Sequence, residues 1–147
     1  MLEKYVLLAL FGIAMAHFEG VLVIYLRKAI GINDSQTNKE ILKEIPKRII
    51  FIEKTREVAT IVMLVTLALL VGNNWLDTII VFLWTFAFWD LFYYLSLYIL
   101  IKWPSKLTTI DVLFLIPRPW IAPVWFPIGI SLITIIIIAI LLITSVL

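Results

Sequence analysis

Cysteine is absent from this chain of 147 residues, and histidine is almost absent, with His17 as the only one. Without cysteine there can be no disulfide, no thiolate nucleophile, no iron–sulfur cluster and no cysteine-ligated zinc. A single histidine also excludes the paired Glu-x-x-His ligands of ferritin-like di-iron sites. These absences remove several classes of metalloprotein and all thiol enzymes from consideration.

Charge is also scarce. Lysine, arginine, aspartate and glutamate make up 15% of the residues, and the formal net charge is +2. The few basic residues mostly flank apolar runs, so we predict no nucleic-acid-binding surface. No glycine-rich loop that could cradle a phosphate occurs, and no polar segment is long enough to form a soluble domain.

Apolar residues, in contrast, are abundant. They make up 63% of the chain, and the mean hydropathy is +1.10. Ordinary soluble domains contain about 45–50% apolar residues. So much hydrocarbon can be buried only in lipid, and we therefore predict one integral membrane domain over residues 1–147 with the lipid bilayer as its surroundings.

Four apolar runs are each long enough to cross a bilayer core, which needs about 20 residues. They cover residues 5–26, 49–71, 76–101 and 127–147. The first run is expected to stay as a span, because it lacks a basic leader and Arg27 and Lys28 close it like a stop-transfer signal. The predicted fold is all-α, a four-helix transmembrane bundle.

The proline-rich segment 103–127 interrupts this pattern before the last helix. Its four closely spaced prolines forbid a regular helix across it. We expect a half-helix over about 109–115, capped by Asp111, followed by a broken re-entrant or interfacial stretch. The tryptophans of this segment, Trp103, Trp120 and Trp125, are expected to form an interfacial belt.

The distribution of lysine and arginine predicts the orientation in the cell membrane. Most of these residues lie in loop 27–48 and in segment 102–119, whereas the turn near Gly72 and the C-terminus carry none. Positive residues are retained on the cytoplasmic side. Both loops are therefore predicted to be cytoplasmic, with both termini outside, and residues 39–47 are expected to form an amphipathic helix on the membrane surface.

A polar stripe heads the second span. Glu53, Arg56, Glu57 and Thr60 fall at positions i, i+3, i+4 and i+7, and so they share one helix face. Charged groups that enter hydrocarbon are costly unless partners await them inside the bundle. The stripe therefore predicts a buried polar cluster.

Carboxylates of the other spans are the predicted partners. Glu19, Glu57 and Asp90 each lie 14 or 15 residues from the outer end of their own span, which places them at one depth. Tyr93 and Tyr94 share the helix face of Asp90. His17 is a weaker candidate, since residues two apart on a helix point in nearly opposite directions, and it is expected to pack in the core.

The charges of the cluster do not balance. If all of its carboxyls are ionised, four negative charges face a single buried cation, Arg56. The carboxyls are those of Glu19, Glu53, Glu57 and Asp90. Either the cluster is a structural ion network with tyrosine hydrogen bonds, or some carboxyls are protonated, or a metal ion lies among them. A metal bound by Glu19, Glu57, Asp90 or His17 would be iron, manganese or magnesium, given the oxygen-rich ligands. A proton site would serve a relay or coupled transport.

Several motifs spread along the chain resemble those of one protein family. They are Tyr25-Leu26-Arg27, Glu53-x-x-Arg56-Glu57-x-Ala59-Thr60, Trp89-Asp90-x-x-Tyr93-Tyr94, Trp103-Pro104-Ser105 and Asp111-x-Leu113-Phe114-Leu115-Ile116-Pro117-x-Pro119-Trp120. Together they resemble a family of small prokaryotic membrane proteins with four spans. The resemblance implies the fold and no particular activity, and His17 is not part of its pattern.

Two function classes are compatible with these patterns. In the first, the cluster is an intramembrane metal or proton site with a redox or transport role. In the second, the chain is a non-catalytic accessory subunit of a larger membrane complex or of a homo-oligomer. The last span favours the second class, because it is apolar all round and suits lipid or partner helices.

Overall fold

The computed structural model of the protein describes residues 2–32 and 42–144. These residues form four long helices and one small sheet. The helices are α1 (Leu2–Ala29), α2 (Lys47–Val71), α3 (Trp75–Ile101) and α4 (Trp125–Ile143). Of the surface helix expected over 39–47, residues 39–41 lie outside the described residues, residues 42–44 are helical, and the helical turn ends before Pro46.

Three of these helices, within the described part of the chain, are long and apolar enough to cross a membrane. They are α1, α3 and α4. The prediction of a mostly helical protein with helices long and apolar enough to span a membrane is therefore confirmed. The crossing by α2, which carries the charged stripe, stays a prediction.

Local capping explains where the central helix α3 begins and ends. The side chain of Asn74 accepts a hydrogen bond from the backbone N–H of Asp77 at 3.0 Å, which satisfies one free donor of the first turn. At the other end, Lys102 adopts a left-handed conformation with φ of 58°, and its N–H bonds to the carbonyl of Tyr98. This ending is typical of helix C-termini.

Helix α3 contacts α1, α2 and α4 and is the centre of the bundle. A stripe of small residues on α1 lets α3 approach closely: Gly12, Ala16 and Gly20 are all buried and recur every fourth residue. At Gly12, an added Cβ would lie 2.9 Å from the carbonyl oxygen of Thr85. Small residues at this spacing are a common helix contact in membrane proteins.

Helices α1 and α3 run in the same direction, because their first turns are joined. Lys4 Nζ lies 2.8 Å from Asp77 Oδ2, and the hydroxyl of Tyr5 donates to Asp77 Oδ1 at 2.9 Å. Beneath this pair, Tyr5 packs edge-on against Trp84. The parallel arrangement matches the predicted order of spans, in which the first and third cross in the same direction.

The half-helix expected over 109–115 is wrong: the protein is mostly helical, but this stretch is part of a small sheet. Strand β1 (Ile110–Phe114) pairs antiparallel with β2 (Trp120–Pro123), with Asp111 opposite Ala122. Prolines at the limits of β2 are compatible with a strand that has a free edge, where no ladder donor is lost. The prolines stop a helix, as expected, but they frame a hairpin and not a broken helix.

The close approach of α1 and α3 can be tested at Gly12. In the variant Gly12→Val the new side chain meets Thr85 and Phe88, and we expect a loss of about 1–3 kcal/mol in the free energy of unfolding, as for other overpacked contacts. The measurement is thermal unfolding in detergent. Gly129→Ala is the matched control, because nothing lies within 4 Å of an added Cβ there. An unfolding temperature of Gly12→Val equal to that of the control would contradict the contact.

Candidate functional site

A cavity of about 150 Å³ lies between α1, α2, α3 and strand β1. It is located toward the C-terminal ends of α1 and α3, away from the Lys4–Asp77 pair. All seven residues of the predicted cluster line it: Glu19, Glu53, Arg56, Glu57, Asp90, Tyr93 and Tyr94. The structure thus brings together side chains from three helices that are far apart in sequence.

Glu19 accepts hydrogen bonds from the two helices next to its own. It is 5% exposed. Its Oε1 accepts hydrogen bonds from Arg56 Nη1 at 3.0 Å and from the Thr60 hydroxyl, and its Oε2 accepts one from Trp89 Nε1 at 3.0 Å. These donors belong to α2 and α3, so one carboxylate on α1 connects three helices.

Arg56 balances two carboxylates. Besides Glu19, its guanidinium bonds Glu53 Oε2 through Nε and Nη2, both at 2.9 Å. The ion pair with Glu53 joins two residues of α2 at the i, i+3 spacing seen in the sequence. The ion pair with Glu19 joins α2 to α1. A planar guanidinium with several donors suits this bridging geometry better than a lysine would.

Glu57 bonds the backbone of the hairpin. Its Oε2 accepts the N–H of Leu115 at 2.8 Å, and its Oε1 accepts the N–H of Ile116 at 3.1 Å. The carboxylate therefore satisfies two main-chain donors just after strand β1. The sequence predicted partners for Glu57 among side chains, and this backbone contact could not be seen there because the strand itself was not predicted.

Asp111 belongs to the same site and does not cap a helix. It lies in β1, is 1% exposed and lines the cavity. The Tyr94 hydroxyl donates to its Oδ2 at 2.7 Å, and the N–H of Val112 lies 2.8 Å from Oδ1. The predicted capping role is wrong because residues 110–114 are a strand. The hydrogen bond connects the hairpin to α3.

Asp90 has the fewest contacts with donors. Its Oδ2 accepts one hydrogen bond, from the buried hydroxyl of Ser131 on α4, at 2.8 Å. None of the salt bridges within residues 2–32 and 42–144 involves it. Asp90 thus combines a position on the cavity wall with little local compensation of its charge.

Arg27 is a second buried cation at the cavity, and its role there was not predicted from the sequence. It is 2% exposed, and its guanidinium carbon lies 4.7 Å from the ring centroid of Trp103. We expected Arg27 to mark the end of a span and Trp103 to lie in an interfacial belt, but Trp103 is 3% exposed. Arg27 does lie in the last turn of α1, but the expectation for Trp103 was wrong because the chain after α3 folds back over the end of α1.

The proposed metal ligands do not converge as a set. Glu19, Glu57 and Asp90 line one cavity, but each is held by different partners. His17 is exposed on α1 and is absent from the cavity lining, so the expectation that it packs in the core is wrong. Within the described ranges, no three histidine, aspartate or glutamate side chains are placed so that they could hold a metal ion.

Comparison of the chain with protein-family models, with curated proteins and with solved structures finds no match. The resemblance to small four-span prokaryotic proteins stays a prediction. Fold and site define the class of molecule: a mostly helical protein with three helices long and apolar enough to cross a membrane, and a cavity between helices that several charged side chains line.

Removal of the Glu19 carboxylate should destabilise the bundle. Glu19→Ala leaves the donors of Arg56, Thr60 and Trp89 without their acceptor, and each buried group left unsatisfied costs about 1–3 kcal/mol. The measurement is thermal unfolding in detergent. Glu3→Ala, on the exposed surface of the same helix, is the control and should leave the unfolding temperature unchanged. Equal unfolding temperatures for the two variants would show that the contacts of Glu19 add nothing.

The Glu57 carboxylate should protect the end of strand β1. In Glu57→Ala the amides of Leu115 and Ile116 lose their acceptor, and we expect faster hydrogen exchange there with little change in α1 and α3. Mass spectrometry of deuterated peptides over 110–123 is the measurement, and Glu44→Ala, an exposed glutamate, is the control. Unchanged exchange over 110–123 would contradict this role of Glu57.

Proposed function

We propose that this chain is a four-span membrane protein whose cavity binds a cation within the bilayer. The cation that its own residues are best suited to take is a proton, and Asp90 is the group that takes it. The role would be a proton relay or proton-coupled transport. The observation that carries the proposal is that Asp90 lines the cavity and accepts a single hydrogen bond, with no cation paired to its carboxylate among the described residues.

The charges around the cavity support the need for a cation. Among residues 2–32 and 42–144, five carboxylates line it, those of Glu19, Glu53, Glu57, Asp90 and Asp111, against two guanidinium groups, those of Arg27 and Arg56. If all were ionised, the excess would be three negative charges. An excess of this size in a low-dielectric interior is relieved by protonation or by a bound cation.

The hydrogen bonds support Asp90 as the site of that change. Glu19 and Glu53 are paired with Arg56, and Glu57 accepts two main-chain N–H groups. Asp111 accepts the Tyr94 hydroxyl. Asp90 accepts a single hydroxyl hydrogen bond, from Ser131, so protonation of Asp90 breaks the fewest contacts. A carboxyl that can gain and lose a proton cheaply is what a relay requires.

The proposed topology places α2 across the membrane beside the other three helices. Its 25 residues reach about 37 Å at about 1.5 Å per residue, and its charged stripe faces the cavity. With α2 as a span, the basic loop 27–48 and segment 102–119 share one side. The positive-inside rule then makes that side cytoplasmic and both termini external, with the proline-rich segment at the membrane interface.

The second candidate is an accessory subunit in which the cluster is a structural ion network. Two observations favour it. The carboxylate of Glu19 accepts three hydrogen bonds from two neighbouring helices, which suits a structural connection between helices. Helix α4 also exposes much of its apolar surface, including Ile133 and Ile136, to lipid or to a partner helix. In this case, Asp90 would contribute to stability only.

Proton flux in proteoliposomes separates the two candidates. An imposed proton gradient across vesicles that contain wild-type protein should decay through it, and Asp90→Asn should slow that decay by roughly 10-fold or more, since relay carboxyls cannot be replaced by amides. Glu3→Gln is the matched control for loss of an exposed carboxylate. Decay that is unchanged in Asp90→Asn, with a lower unfolding temperature, would favour the structural network.

Elemental analysis of the same samples tests the metal form of the proposal. Stoichiometric iron, manganese or magnesium in the wild type, lost in Asp90→Asn and kept in Glu3→Gln, would make the bound cation a metal ion. Metal content below stoichiometry in all three samples would leave the proton as the cation.

A further inference from the structure

The cavity beside Asp90 is larger than a proton or a metal ion requires. Its volume is about 150 Å³. An apolar cavity of this size in another protein takes up a whole benzene molecule. A metal ion also needs several ligand oxygens around it, and no three acidic or histidine side chains of the described ranges are placed to supply them. The space is therefore suited to a small organic ligand.

The charges around the cavity favour a cationic ligand. Both guanidinium groups of its wall have other partners: Arg56 is bonded to two carboxylates, and Arg27 lies over the ring of Trp103. Of the salt bridges in the described part of the chain, none includes Asp90. A neutral or anionic ligand would leave the ionised Asp90 without an opposite charge, whereas a monovalent cation would neutralise it.

Aromatic rings line the cavity next to this carboxylate. Tyr93 and Tyr94 follow Asp90 at i+3 and i+4, so the three side chains leave α3 on the same face, and all of them line the cavity. The two phenol rings meet at 73°, with their centroids 5.3 Å apart. Trp89 and Phe114 also belong to the lining. Aromatic rings around a cation are the usual means by which proteins bind quaternary ammonium ligands.

Much of the remaining lining is aliphatic. Val23 and Leu26 of α1 and Val112 and Leu113 of β1 contribute to the wall. Such side chains cannot replace the water around an inorganic cation, but they contact hydrocarbon groups favourably. A hydrated sodium or potassium ion is therefore disfavoured relative to an organic cation of the same charge.

We infer that the cavity binds a small organic ammonium ion, with its charge at Asp90 and its carbon atoms against the aromatic and aliphatic walls. This inference rests on the cation site proposed above and names a second cation for it. A carboxylate that holds the ammonium ion cannot hold a proton at the same time, so each cation displaces the other. The transport that such a site supports is the exchange of one ammonium ion for one proton, which moves no net charge.

Two ligands of the same shape test the requirement for charge. Choline and the uncharged dimethylbutanol in which carbon replaces its nitrogen are titrated separately into full-length wild-type protein in detergent, and binding is measured by isothermal titration calorimetry. We expect choline to bind roughly 10-fold or more tightly than the alcohol, because the carboxylate and the aromatic rings attract only the charged ligand. Equal affinities, or no binding of either ligand, overturn the inference.

Variants test where the cation binds. Asp90→Asn should weaken choline binding by roughly 10-fold or more, because the ligand loses its opposite charge. Glu3→Gln, an exposed carboxylate far from the cavity, is the matched control. Tyr93→Leu should bind choline more weakly than Tyr93→Phe, which keeps the aromatic ring. Unfolding temperatures are measured for each variant to show that it is folded. Affinity that is unchanged in folded Asp90→Asn overturns the inference.

Proton movement separates a failed ligand class from a failed proton site. Vesicles that contain the protein are loaded with choline and diluted into choline-free buffer, and the internal pH is followed with a dye. Choline that leaves through wild-type protein should bring protons in and lower the internal pH, and Asp90→Asn should abolish this change. A proton gradient that decays through Asp90 with no effect of choline overturns the inference and leaves the proton relay in place. Choline binding that depends on Asp90, without proton movement, supports the ligand class and overturns the relay.

Discussion

The structure depends on one constraint: a charge buried between apolar helices must be met by donors or by an opposite charge. Glu19 meets it with Arg56, Thr60 and Trp89, which belong to the two neighbouring helices. Van der Waals contact alone would let these helices slide against one another, because lipid tails are as apolar as leucine side chains. The hydrogen bonds to one carboxylate define how far along their axes α1, α2 and α3 sit.

Hydrogen bonds to carboxylates also attach the hairpin to the helices, with one carboxylate on the bundle and one on the hairpin. A carboxylate of the bundle, Glu57, accepts main-chain donors of the hairpin, and a carboxylate of the hairpin, Asp111, accepts a phenol of the bundle. Ring contact between Phe86 and Phe114 adds an apolar component. Since a two-stranded hairpin is marginal in isolation, these contacts to the helices are what keep its strands formed. The cavity wall on that side is consequently only as ordered as its attachments.

The sequence predicts the helices and the polar cluster well, because both follow from periodicity. Apolar runs of sufficient length indicate α1, α3 and α4, and the spacing of Glu53, Arg56 and Glu57 indicates one shared face. Counting residues from the span ends is enough to expect Glu19, Glu57 and Asp90 at one level. Helix rise is nearly constant, so depth in a bundle can be read from sequence distance.

The features that the sequence does not predict arise where the chain turns back after α3 and forms the hairpin. The prolines indicate an interruption but not the pairing of residues 110–114 with 120–123, since strand pairing depends on a partner and not on local spacing. The buried positions of Arg27 and Trp103, and the place of Asp111 on the cavity wall, all follow from that reversal. The exposed position of His17, in contrast, agrees with one signal in the sequence: His17 lies two residues from the buried Glu19 and therefore points to the opposite side of α1.

The bond between Glu57 and the hairpin has an evolutionary consequence. Glu57 accepts hydrogen bonds from the peptide N–H groups at positions 115 and 116, and these bonds do not involve the side chains there. Any amino acid except proline supplies the same donor. Substitutions at these two positions can therefore change the shape and polarity of the cavity wall while the hydrogen bonds to Glu57 are kept. Related chains could therefore come to bind different ligands in the cavity, because its lining can change while the hairpin stays attached to α2.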